Sequence, residues 1–224
     1  FLRKETPNVG FVASSDLNDL VEAVKGFNVI RKGGTVDGFV AAVNRARIRS
    51  TPPQGDLSVA TDDLKTVSAE ECMRRMKESR ILAVRNEKSS TADPVMNIPL
   101  EFVSFSVVNE AWKKADQDEA RSIAEGWQNK ADEVIDVPFE TLQNSAAMYL
   151  GMKDVLKQYD ANAITINCLG GFYGGHIHAY PCLGFHELNN EGLIGACECD
   201  VKSTATMVAF TQMTGGRPGY ISDP

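Results

Sequence analysis

Ala163-Ile-Thr-Ile-Asn-Cys168, then Leu193-Ile-Gly-Ala-Cys197, then Val201 through Met213: these stretches decide the fold. The first two are short apolar runs bounded by turn residues, the pattern of buried strands. The third is apolar on most faces, which predicts a buried helix, and Gly215-Gly216 ends it. Gly219-Tyr-Ile-Ser222 then reads as a further strand. Two strands joined through a helix run parallel and belong to a βαβ unit.

The same grammar extends upstream. Ile81-Leu-Ala-Val84 is a short buried strand, Glu87 to Pro94 a polar loop, and Leu100 to Phe105 an alternating strand. Asp116 caps a helix with the stripe Ile123, Ala124, Trp127, Ala131 and Val134, which Pro138 interrupts. A second helix runs from about Glu140 to Tyr159, with Leu142, Ala146, Tyr149, Met152 and Leu156 on one face. Gly170 to Gly175 reads as a Gly-rich loop, suited to a close ligand approach or to a lid, and Cys182 to Leu188 as a short helix. The expected fold class is α/β: an open, mostly parallel sheet with helices on both faces.

Residues 1–77 are mixed and less regular; the regular domain is 78–224. Val9–Ala13 is a strand candidate, Asp16–Val24 has helical spacing, and Ser50 to Ala60 is the best linker. Ser68-Ala-Glu-Glu71 fits a capping box for a helix to about Lys77. The chain begins at Phe1 and stops at Pro224 directly after a strand-like run, so it reads as a fragment of a longer protein.

Composition narrows the function. The chain has 224 residues with 23 basic and 30 acidic side chains, a net charge of −7. That balance argues against nucleic acid, whose footprint is a basic patch. No apolar run reaches the ~18 residues that span a bilayer. Five cysteines in no ladder spacing, without a secretion signal, suggest reduced thiols in the cytoplasm.

Chemistry concentrates late in the chain. Glu198 follows one expected strand and Asp223 the next. Parallel neighbours lie ~4.8 Å apart, so the two carboxylates would converge at the carboxyl edge where open α/β sheets bind ligands. Such a pair suits a hard cation such as Mn²⁺ or Mg²⁺, or proton transfer beside a carbonyl. Asp200 fits a helix cap better than Glu198 does, and it stands with His176 and His178 as a candidate substrate contact. All three histidines, His176, His178 and His186, fall close together with Cys182 between them. They offer a zinc set, acid/base or substrate contacts in the cleft above the strand that ends near Cys168 (His176 and His178 for the substrate), or polar loop residues with no role. Cys197 and Cys199 read as small buried residues pointing the same way.

Several short motifs, in order, resemble the L-fucose/L-arabinose isomerase family: Tyr149-Leu-Gly-Met-Lys153, Ala163 to Cys168, Pro181-Cys-Leu183, Asn190-Glu-Gly192, Ala196-Cys-Glu-Cys-Asp200, Thr206-Met207 and Thr214 to Pro218, ending at Ser222-Asp223. Phe172 to His178, rich in Gly and His, departs from that family. The resemblance implies a Rossmann-like second domain over 78–224, preceded over 1–77 by a remnant or the end of a first α/β domain. It implies a Mn²⁺ held by Glu198, Asp223 and a His from a third domain with no counterpart before Pro224. It further implies aldose–ketose isomerisation of a sugar through an enediol, with the two carboxylates moving the proton, in a trimer or hexamer. The alternatives are a non-catalytic sugar-binding or regulatory module, or an isomerase-like protein with a diverged substrate.

Overall fold

The computed structural model describes residues 32–35, 37–41, 64–85, 88–217 and 219. The chain forms two compact units, Phe1–Asp62 and Asp63–Pro224. In the first, residues 37–41 are helical, opened by Thr35, whose hydroxyl accepts from the Gly38 amide at 3.1 Å. The strand candidate, helix and linker expected over 9–24 and 50–60 lie outside the described residues.

The second unit runs α1 (Ala69–Glu78), β1 (Ile81–Arg85), β2 (Ser90–Val95), β3 (Ile98–Ser104), α2 (Phe105–Lys114), α3 (Gln117–Lys130), α4 (Phe139–Gln158), β4 (Ala163–Ile166), α5 (Cys168–Tyr173), α6 (Cys182–Asn190), β5 (Ile194–Ala196) and α7 (Val201–Thr214). Its strands form one sheet in the order β2-β3-β1-β4-β5. All described neighbours are parallel except β2 against β3. This is the expected α/β, Rossmann-like architecture.

Side-chain alternation splits the sheet into two wet-to-dry interfaces. Leu82, Val84, Val103, Ile164 and Ile166 face α2, α4 and α6 in the larger core. Ile81, Ala83, Leu100, Ala163 and Ile194 face the other way, onto α1 and α7. α1 therefore packs in the second unit, although the sequence groups it with the irregular first segment. Its cap is the expected one, Ser68 accepting from the Glu71 amide at 3.2 Å, and Val67 donates to the Met213 carbonyl at 2.9 Å beside α7.

Three elements differ from expectation. The polar stretch before Pro94 is not a loop but the edge strand β2, of which only Ala92 and Val95 pack inward while the rest is solvated. Phe105 does not end a strand: Ser104 caps α2, accepting from the Ser106 amide at 3.3 Å. The Gly-rich stretch is not a lid but helix α5, capped by Asn167, which accepts from the Gly170 amide at 3.1 Å. Its glycine at 171 serves packing, since a Cβ there would stand 2.8 Å from the Phe105 ring. Gly151 does the same where α4 crosses α2: a Cβ would meet the Trp112 backbone nitrogen at 2.7 Å.

Candidate functional site at the carboxyl edge

β4 and β5 end side by side, and the segment 197–200 turns there from β5 into α7. The turn is tight. Glu198 and Cys199 sit in the left-handed region at φ 63° and 56°, which costs a non-glycine residue roughly 1–3 kcal/mol and clusters at functional sites. The cost is offset by fixed bonds: Thr165 Oγ1 donates to the Cys197 carbonyl at 3.1 Å, and the Cys199 amide donates to the Ile166 carbonyl at 3.1 Å. Asp200 then caps α7, accepting from the Ser203 amide at 2.9 Å and the Ser203 hydroxyl at 2.6 Å. Those bonds, the hydroxyl first, hold its carboxyl below the usual range. Asp200 is thus spent on the helix.

Glu198 is exposed and lines a cavity of about 370 Å³ together with Phe185, Asn189, Gly195, Asp200 and Met207. The cavity lies beside β5. Asn189 forms its wall by acting as a substitute strand: its side-chain amide donates to the Gly195 carbonyl at 3.0 Å and its Oδ1 accepts from the Gly195 amide at 3.3 Å. A larger cavity, about 580 Å³, opens at the opposite, amino edge, where Lys114, Asp116, Lys153, Lys157 and Ala161 line it. It holds none of the expected site residues. The carboxyl-edge cavity is the one that Glu198 and Asp200 line.

The expected residues are only partly gathered. Asp223 lies outside the described residues, as does the strand expected before it beyond Gly219. His176 stacks flat on Phe105, ring centres 5.5 Å apart, and its carbonyl accepts from Asn109. His178 leans on Trp112 at 5.8 Å. Both therefore sit against α2, and neither lines the Glu198 cavity. His186 lies beside Asn190 on α6. Among the described residues no three His, Cys, Asp or Glu side chains are arranged to hold a metal, so the zinc arrangement is not formed by them. Mn²⁺ asks for oxygen donors. Glu198 fits that chemistry, Asp200 is committed to Ser203, and any second carboxylate must come from outside the described residues.

Sequence reasoning missed two groupings. Tyr149 and Lys153 of α4 meet Glu191 in the turn after α6: the phenol donates to the carboxylate, and Lys153 Nζ lies 2.8 Å from it. Burial and then Glu191 push the Tyr149 hydroxyl up, and Glu191 raises Lys153. Two separate motifs are thereby one clamp, which fastens α4 to the start of β5. The signal was their co-occurrence.

The other grouping is a cluster of thiols. Cys168 opens α5, Cys182 opens α6, and Cys197 follows β5. Of the three, Cys197 acts on both others. It lowers Cys168 to about 6 and Cys182 to about 7, while they push Cys197 up. Cys197 is exposed rather than buried, and Cys199 instead packs in the α1/α7 core. The expectation that both point one way fails because left-handed backbone at 198 and 199 breaks strand alternation.

No described helix is long and apolar enough to cross a membrane. No family model matches the chain. Over 83 residues, 37% of its length, the chain is 25% identical to a sulfoquinovose isomerase of Alkalicoccus urumqiensis, covering 18% of that protein. Over 84 residues it is 23% identical to the sulfoquinovose isomerases of Priestia aryabhattai and Priestia megaterium, covering 19% of each. The match thus spans less than a fifth of the length of these curated relatives, and over somewhat more than a third of its own length the chain is similar to sugar isomerases.

Proposed function

We propose that this chain is part of an aldose–ketose sugar isomerase whose reaction takes place at the carboxyl edge beside β5. The observation that carries the reading is the placement of Glu198: an exposed carboxylate, on a strained turn, lining a cavity at a sheet edge. The similarity to sugar isomerases supplies the reaction class. Glu198 removes the proton from the carbon beside the carbonyl and returns it to the adjacent carbon, through an enediol. The backbone that carries Glu198 is fixed on both sides by the Thr165 and Cys199 bonds, which sets the edge from which the side chain projects.

Glu198 and Asp223 would hold a divalent cation, Mn²⁺ first, with further donors from elsewhere in the whole protein. When bound, such an ion lowers the cost of negative charge on the two sugar oxygens. Asn189, already fixed against β5, is placed to accept or donate at the cavity wall. The substrate is a small neutral or acidic sugar; L-fucose, L-arabinose and sulfoquinovose are the three to try. The whole protein works as a homo-oligomer in the cytoplasm.

The test is ketose formation from these three aldoses by the gene product that contains this chain. Activity with Mn²⁺ that is lost with a chelator and restored by the ion supports the reading. Binding of a sugar with no interconversion of any of the three, under the same conditions, overturns it in favour of a binding module.

A further inference from the structure

We propose that Thr165 is a positioning residue for the isomerisation: its hydroxyl holds an inserted residue at the end of β5 and thereby aims Glu198. That role rests on the reading of Glu198 above; the insertion does not. The ladder between β4 and β5 shows it. The Ile194 amide donates to the Asn162 carbonyl at 2.9 Å, and the Cys199 amide donates to the Ile166 carbonyl at 3.1 Å. The two acceptors lie four residues apart, but the two donors lie five apart. Parallel strands advance in step, as the pairs Ala163–Ile194, Ile164–Gly195 and Thr165–Ala196 do. One residue is therefore extra between Ala196 and Cys199, where the left-handed Glu198 and Cys199 stand. In an unbroken register the Ile166 carbonyl would accept from Glu198 itself. Such an insertion is a β-bulge, which bends a strand and re-aims a side chain.

The bulge also displaces a carbonyl. Ile194 turns its amide towards β4, and Gly195 turns its amide and carbonyl to the outer edge, where Asn189 meets them. Continued alternation would send the Cys197 carbonyl to the outer edge as well. It instead accepts from Thr165 Oγ1 on β4 at 3.1 Å.

Thr165 is fully buried, and its neighbours on β4, Ala163, Ile164 and Ile166, are apolar. A valine would fill the same space, so the hydroxyl is explained by its partner and not by packing. The buried threonines of α7 bond locally, Thr204 to the Asp200 carbonyl and Thr211 to the Arg217 carbonyl. Thr165 reaches across to the turn that carries Glu198. Without that donor nothing holds the Cys197 carbonyl towards β4, and the turn relaxes towards the unbroken register. A slip of one residue sends a side chain to the other face of the sheet, away from the aim that the bulge gives Glu198.

The test measures sugar isomerisation by the gene product that contains this chain, in two pairs that differ by the hydroxyl. The parent against Thr165→Val exchanges hydroxyl for methyl at similar volume. Thr165→Ser against Thr165→Ala removes it from a smaller side chain, which keeps the test open if the valine variant misfolds. Loss of the hydroxyl in either pair should lower kcat about 10- to 100-fold, the scale of a misplacement near 1 Å. KM should change less than about threefold, because ground-state contacts remain. Thr165→Ser should keep most of the parent kcat. Amide hydrogen exchange at 197–199 should quicken in Thr165→Val and Thr165→Ala while that of Ile164 stays slow, which is read whether or not any sugar reacts. An active parent whose kcat survives loss of the hydroxyl, a loss confined to KM, a Thr165→Ser as slow as Thr165→Ala, or unchanged exchange at 197–199 overturns the positioning role and leaves the isomerase reading standing. A parent that interconverts no sugar overturns the isomerase reading, and the role of Thr165 in it falls too.

Discussion

At one edge of the sheet, β2 presents six residues of which only Ala92 and Val95 pack inward. At the other edge among the described strands, β5 presents three residues that are all buried. The first edge is closed to further pairing by its own sequence: Pro94 sits in an irregular stretch of the ladder and removes a donor. The second edge is closed by one side chain, Asn189, and two flanking helices, and it leaves a cavity. Both solutions protect exposed backbone. Only the second also delivers a carboxylate to a cavity, so on the proposed reading the difference separates an edge made for solvent from an edge made for a ligand.

This contrast can be broken by mutation, beginning with the largest effect. Ile194→Ala empties a fully buried position of β5 and should cost about 2–5 kcal/mol. Val95→Ala, at the half-buried end of β2, should cost about 1 kcal/mol or less. Urea midpoints of the two variants check this, and equal losses would erase the distinction between the edges.

Gly195→Ala is next. A Cβ there would stand 2.6 Å from the Phe185 Cα, a backbone atom that cannot swing aside. Overpacking should cost about 1–3 kcal/mol, read in the same urea titration, and should also narrow the cavity wall that Asn189 holds.

Asp200→Ala removes the α7 cap and should cost about 1 kcal/mol at neutral pH. The Ser203 bonds depress the Asp200 carboxyl, so its contribution is present above the ordinary carboxylate pKa of about 3.9. It is lost as pH falls below that value. The gap between the parent chain and Asp200→Ala in thermal melts should therefore shrink from pH 7 towards pH 3. A gap that widened on acidification would contradict the cap.

Much of this architecture was legible in the sequence. β1, β4, β5 and α7 carry apolar runs bounded by turn residues, and α4 carries a clean helical stripe, because each buries one face or all faces. β2 was not legible because an edge strand with little to bury shows no alternation. α2 was missed although Ser104 offers a cap and Val107, Val108, Ala111 and Trp112 repeat at helical spacing; the strand pattern ran into it and hid its start. Glu198 could be placed from its position after a strand. The packing of Cys199 against the α1/α7 core could not, since nothing in a residue-type pattern announces the left-handed backbone at 198 and 199. The histidines gather in sequence, but His176 and His178 sit against α2, because Phe105 and Trp112 give their rings flat apolar surfaces, while His186 lies on α6.

The most direct measurement compares Glu198→Gln with Asp200→Asn in sugar isomerisation by the gene product that contains this chain. Both substitutions remove one charge from the same short turn and keep its volume. The account predicts that Glu198→Gln lowers kcat at least about 100-fold, the scale of a lost acid–base group. It predicts that Asp200→Asn changes kcat less than about threefold, because asparagine caps a helix nearly as well. Unchanged turnover in Glu198→Gln, or a larger loss in Asp200→Asn, would contradict the assignment of the site.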